Sequence, residues 1–530
     1  MTRSIVSFFT AVLMTLALGG AVDESRAAVT MEDIEGVYDF VAFGPGEDSL
    51  DIELSTIAFN GQGSWGVPNL DAPENAGAYE IDALGRLMTV TLAGEEILTL
   101  TTSGAISPDA TIIALPETEF PEEPGYTILV KRDTQITPGD LAGNRYNFVE
   151  FSVFVENGTP SPEVSAGYME IDGDGTSLTV YEQVNSGEGE VDKTFGPMSF
   201  TVADGRLSAL DGDATGLIGP AGDFIVIAKE IQGQEGVIFM SRSSNVGNGA
   251  LYGWYNLTTW GLDISDGKTA VSSDALFVDG NGGWILLEGE EELAGTYDIG
   301  SQGRLVLKLT DPENQPITSF GGVSPDGHLF IVPEIDEWGI GITMGVKMPL
   351  RSVQLSSDTT DIQTYDSTAK TVQQLKEEYQ NVYGDFQPFS EVVSFTATGA
   401  GNETHEFTFD TSGLAGPVSN LLLLKLKDSD NSLEFFYALE AETMPGSYLD
   451  GTWWLTDSGV YLDSSETLDV KKEYKIHFAI QDNGDYDLDD REGFIKDPTV
   501  LGASVESTDT ETDSLGGSSS SSGCFISSLK

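Results

Sequence analysis

The sequence predicts an all-β chain: three repeated antiparallel β-barrel-like domains, then a C-terminal β-sandwich, with one short linker helix. Three observations carry this. The 530 residues include 61 glycines and many Asx-Gly pairs, which supply the positive φ values of tight hairpins rather than long helices. One set of landmarks recurs three times in the same order. Short runs with period-two alternation, bounded by turn residues, dominate all but one stretch. With 39 % hydrophobic residues, several packed cores of roughly 100–200 residues can form.

Residues 1–27 read as a secretory signal. Arg3 supplies the positive head, and Ile5 to Leu18 forms an apolar run shorter than the ~20 residues of a bilayer span. Small residues then offer cleavage after Ala21 or Ala27. No later segment is apolar enough to span a membrane.

The repeats cover 28–133, 134–243 and 244–350. Each opens with an apolar residue, a glycine and a tyrosine: Ile34, Gly36, Tyr38; Leu141, Gly143, Tyr146; Leu251, Gly253, Tyr255. An Asx-Gly-x-Gly turn follows at Asn60, Asp172 and Asp279, then Gly-Arg-Leu at Gly85, Gly205 and Gly303, then a proline turn at Pro108, Pro220 and Pro325. Each unit closes on a strand carrying a basic residue. In the third unit the pattern marks strands at Tyr252–Thr258, Ala275–Val278, Gly283–Leu287, Gly295–Ile299, Arg304–Lys308, Thr318–Val323, His328–Val332 and Ile340–Lys347. Eight such strands satisfy every edge by closing into an up-and-down barrel. The rival is a propeller, but no Trp-Asp pair or blade-length period of ~40–45 residues supports it. Asp172, Asp174, Asp211 and Asp213 place carboxylates on tight loops, and turn formation accounts for them without metal.

Residues 351–384 read as linker and helix. Ser352 to Lys370 is Ser, Thr, Asp and Gln-rich; Thr371 to Val382 carries Val372, Leu375, Tyr379 and Val382 on one helical face. Residues 385–503 resume strands at Val392–Ala397, His405–Phe409, Leu421–Lys427, Leu433–Leu439, Tyr474–Ile480 and Gly493–Lys496, the signature of an antiparallel sandwich. Trp453 and Trp454 are expected in its core, the alternative being a sugar-binding platform.

The densest motif runs from Gln481 to Gly493. Asp485, Asp487 and Asp489 at alternate positions, opened by Asp482 and closed by Glu492, converge on one calcium ion if the loop curls. The other reading is a solvated acidic loop. This passage resembles the close of the bacterial choice-of-anchor U domain, through Asp482, Gly484, Asp487, Asp489, Gly493, Ile495, Asp497 and Pro498. That resemblance implies a β-rich module standing before a surface-attachment signal. The tail 504–530 is Gly/Ser-rich and ends near Cys524-Phe525-Ile526, similar to Cys-Phe-Ile tails that follow such domains. Arg491-Glu492 stands where the family has Asn, and the tail lacks an apolar span, which leaves Cys524 as the attachment candidate. A single cysteine forms no internal disulfide.

With 86 acidic against 25 basic residues and a net charge of −61, nucleic acid and anionic lipid are poor partners. His328, His405 and His477 sit apart, without metal-ligand spacing, and read as strand residues. No P-loop, Cys-x-x-Cys or Gly-x-Ser-x-Gly appears. The expectation is a non-enzymatic, exported bacterial surface protein engaging a cell-surface polymer, glycan or protein ligand. The alternatives are a secreted polysaccharide hydrolase with accessory modules and a lipocalin-like carrier with hollow barrels.

Overall fold

The computed structural model describes residues 29–504 outside 46–49, 69–75, 82–85, 94–95, 118–124, 157–158, 187–188, 232–233, 264–268, 289–290, 311–315, 336–338, 349–352, 359, 365–385, 391, 400, 402, 427–432, 439–448 and 490. The signal segment 1–27, the helix expected at Thr371–Val382 and Cys524 lie outside the described residues.

Each repeat is a closed eight-stranded antiparallel barrel in which every strand pairs with the next and the first with the last. The propeller reading is set aside by these closures. All eight strands expected in the third unit are present, from Gly253–Asp263 to Gly339–Lys347. The opening tyrosine and the closing basic residue face each other across each seam: Tyr38 pairs with Lys131, Tyr146 with Arg242 and Tyr255 with Lys347. A Cβ at Gly36 or Gly253, both at positive φ, would press within 3.3 or 3.4 Å of the lysine's Cε, so glycine leaves room for that side chain. The Asx turns consume their own side chains. Asn60 Oδ1 accepts the Gln62 and Ser64 amides, and Asp279 Oδ1 those of Asn281 and Gly283.

Strand alternation sorts each barrel's residues. Inside the first, Tyr38, Phe59, Tyr79, Leu87 and Ile113 form one cluster. Tyr146, Phe148, Leu207 and Ile225 fill the second; Tyr255, Leu257, Trp284 and Leu305 fill the third. Among the described residues these interiors hold packed, buried side chains.

Outward-facing residues of the three barrels make a further, shared core. The residue five places after each landmark tyrosine reaches it: Phe43, Phe151 and Trp260. The Trp260 ring lies 5.3 Å from Phe43 and 4.6 Å from Phe151, edge to face in both cases. The residue following the tyrosine makes polar cross-links in the first two units. Asp39 of the first barrel is gripped by Arg132 of its own closing segment and by Arg206 of the second barrel, whose Nη2 is 2.5 Å from Oδ1. Asn147 Nδ2 donates to the Gln302 carbonyl of the third at 2.9 Å.

The sandwich has two sheets. One carries strands in the order Gln354–Ser356, Thr404–Ser412, Glu473–Gln481, Thr452–Asp457 and Tyr437–Ala438; the other runs Asp361–Thr364, Val393–Thr398, Phe494–Ser504, Leu421–Leu426 and Leu433–Phe435. Residues 354–364, read as linker, thus supply two edge strands. The pairing is not wholly antiparallel, since Tyr437–Ala438 runs parallel to Thr452–Asp457. There the chain leaves one sheet at Phe435 and joins the other at Tyr437, with Phe436 buried between. Trp453 is core and Trp454 is buried on the opposite face, so neither offers a sugar platform. The third barrel docks here: Trp254 and Phe277 join the sandwich core, and Trp254 Nε1 donates to the Gly413 carbonyl at 2.8 Å.

Candidate functional site

The acidic loop 481–493 is built by its carboxylates turning back on the loop's own amides. Asp482 is buried, and both its oxygens accept the Gly493 N–H, at 3.0 and 2.9 Å. Asp487 accepts the amides of Asn483, Asp489 and Lys496 at 2.9, 2.9 and 3.0 Å, tying the loop to the last strand. Burial raises the Asp487 carboxyl above its usual range despite those amides. Asp489 accepts a bidentate bond from Arg491, at 2.8 and 2.6 Å, which holds its carboxyl low. Asp485 and Glu492 are exposed, and Glu492 lies against Gly401. The five residues share one loop, in which Asp482 and Asp487 accept backbone amides and Asp489 accepts from Arg491.

A second cluster lies where the barrels meet. Each landmark tyrosine donates across its barrel to the proline turn: Tyr38 to the Ala110 carbonyl at 2.6 Å, Tyr146 to Gly222 at 2.8 Å and Tyr255 to Gly327 at 2.6 Å. Within two of these turns, Ser107 and Ser324 each donate to an aspartate two residues on, Asp109 and Asp326, at 2.6 Å. The turns of the first and third barrels then come together. His328 Nδ1 is 3.1 Å from Asp326 Oδ2 and 4.0 Å from Asp109 Oδ1. Asp223, from the second barrel's turn, feels both: burial raises its carboxyl first, the charges of Asp326 and Asp109 add to that, and Arg242 at 2.5 Å opposes it. Burial also penalises Asp326, but the hydrogen bond and charge of His328 outweigh it and hold that carboxyl below its ordinary range.

Among the described residues, Asp109, Asp326 and His328 are the one group of three acids or histidines whose ligand atoms lie within 4.8 Å of one another. None of the loop residues belongs to such a group. His328, expected to open the strand His328–Val332, stands one residue before the observed strand Leu329–Ile335 and lies at a barrel junction that the sequence pattern does not mark. The repeated proline turn was the signal available. His405 and His477 do lie on strands. His477 takes Glu406 Oε1 at 2.7 Å and Thr456 Oγ1 at 2.9 Å and stacks on Trp454, the arrangement of a satisfied structural histidine. A crevice between the second and third barrels, lined by Phe148, Gly167, Arg304 and Phe320, has room for about one water (≈ 10 Å³).

No protein-family model matches the sequence, and no curated protein matches it. Similar solved structures include transferrin binding protein B from serogroup B Neisseria meningitidis, at 10 % identity and a TM-score of 0.21, covering 59 % of this chain and 76 % of that one. Intact Ap-TbpB, with its N and C lobes, matches at 10 % identity and a TM-score of 0.19, covering 92 % and 98 %. The vaccine antigen transferrin binding protein B of Haemophilus parasuis Hp5 matches at 11 % and 0.18, covering 91 % and 98 %. At such scores the likeness assigns no ligand.

Proposed function

We propose that this chain is an exported bacterial surface protein whose fused barrels present their outer faces to a macromolecular partner, without catalysis, while the C-terminal tail tethers it through Cys524. One observation carries the reading. Buried side chains pack inside the second and third barrels, which favours recognition by the outer faces. A net charge of −61 favours a partner with basic surface, or one bridged by cations.

Protease treatment of intact source cells tests the location: release of barrel peptides is expected, and confinement of the protein to the cytosolic fraction overturns the proposal. Titration with a fluorescent fatty acid tests the mode of binding, and saturable uptake restores the carrier alternative. Mass spectrometry of Cys524 from native cells tests the tether. A free thiol on protein found in the medium removes it.

A further inference from the structure

Lys425 and Asp497 lie in the sandwich core with no solvent exposure at either side chain. The alternation that sends Leu421 and Leu423 inward on one strand sends Lys425 inward too; on the neighbouring strand it does the same for Ile495, Asp497 and Leu501. Lys425 pairs with Thr499, so Asp497 stands on the same face, two residues along. Lys425 Nζ is 3.6 Å from Asp497 Oδ1, and neither Nζ nor either Asp497 oxygen has a hydrogen-bond partner. The nearby Thr499 hydroxyl is committed to the Leu424 carbonyl at 3.0 Å.

Buried charges are ordinarily saturated with hydrogen bonds, because low dielectric penalises every unmet group. Here an amine and a carboxyl are pressed together and left unmet. The wall around them is apolar and aromatic: the Tyr486 ring centroid is 5.3 Å from Nζ and stacks on Phe436, which packs on Phe478. At 3.6 Å from Oδ1 the amine nitrogen lies against the carboxyl group whose carbon it would attack, in a site buried from solvent.

We propose that Lys425 and Asp497 condense to an amide, an intramolecular cross-link between the strands Leu421–Leu426 and Phe494–Ser504. The Nζ lone pair attacks Asp497 Cγ, the C–N bond forms, and a carboxyl C–O bond breaks. The departing hydroxyl takes a proton from the nitrogen and leaves as water, so no oxidant, cofactor or second substrate is needed. Burial favours the required protonation states. It lowers the lysine towards the free amine, prevailing over the charges of Asp497, Asp450 and Asp487 that oppose this. It raises the aspartate towards the neutral acid against the charge of Lys425, with Asp487 and Asp450 adding to that rise. Phe494–Ser504 is the last described strand before the tail, and with one cysteine in the chain no internal disulfide can staple it.

Intact-mass measurement of the purified full chain, with its N-terminus determined, tests the bond directly. The expected result is a deficit of one water, with Lys425 and Asp497 recovered on a single branched peptide after proteolysis. Lys425→Arg should restore the full mass. Asp497→Asn should instead lose one ammonia, since an amide leaving group departs as ammonia. A wild-type chain at full mass, with the two residues on separate unmodified peptides, overturns the proposal. So does a water loss confined to an aspartate peptide with Lys425 free.

Discussion

The hydroxyl of Tyr38 reaches a carbonyl 72 residues away, and Tyr146 and Tyr255 repeat the same bond in their own barrels. A phenylalanine at any of these positions keeps the ring and leaves a buried carbonyl unmet, which costs about 1–3 kcal/mol. Urea unfolding of the three Tyr→Phe variants should show losses of similar size; a neutral Tyr255→Phe would dismiss the bond as a stabilising element. Asp39 carries a different dependence. Burial raises its carboxyl, but the hydrogen bonds from Arg132, Arg206 and Thr56 prevail and hold it below the ordinary range. A group whose folded pKa is depressed contributes its stability above the unfolded value, about 3.9, and loses it as pH falls through the folded one. Melting measured between pH 7 and pH 2 should therefore drop more steeply for the wild type than for Asp39→Asn. Parallel curves would remove the carboxylate from the account. The sequence marks these tyrosines as repeated, but their partners depend on barrel closure, which no local pattern records.

Strands in this chain have two buried faces wherever barrels touch. Leu257 points into the third barrel and Trp260 out of it, towards Phe43 and Phe151. Leu257→Ala should cost about 2–5 kcal/mol and unfold that barrel first, while Trp260→Ala, at about 3–5 kcal/mol, should loosen the junction and leave barrel interiors intact. Calorimetry distinguishes them: Trp260→Ala is expected to split one transition into several, and a single shifted peak would show that the barrels stay coupled without Trp260. The barrel strands were legible because turn residues bound each one and the pattern recurs three times. Gln354–Ser356 and Asp361–Thr364 were not. Three or four residues with a single apolar member each, Leu355 and Ile362, present no measurable period and sit in a stretch of linker-like composition.

At the scale of the molecule, charge opposes compaction. A net −61 repels itself at low ionic strength, and salt screens that repulsion beyond a Debye length of about 10 Å at 0.1 M. The melting temperature should rise between about 0.01 and 1 M NaCl, as read by circular dichroism; a flat or falling profile would mean that local ion pairs such as Asp39–Arg206 govern instead. Head-to-tail contact of repeats forms a closed ring when the rotation permits. The contacts follow that sense, with Asp39 of the first unit held by Arg206 of the second and Asn147 of the second by the third.

The all-β class, the eight-stranded units and the alternating sandwich core all followed from residue order, because hairpin turns and period-two burial are local properties that neighbouring residues specify. The joining of the barrels did not. Phe43, Phe151 and Trp260 differ in no local respect from other alternating apolar residues, and spacing in the acidic loop does not record which amides Asp482 and Asp487 accept. Nor does spacing along the chain bring Lys425 to Asp497 or His328 to Asp109. Strand register and barrel packing do that, since both depend on which distant surfaces exclude water together.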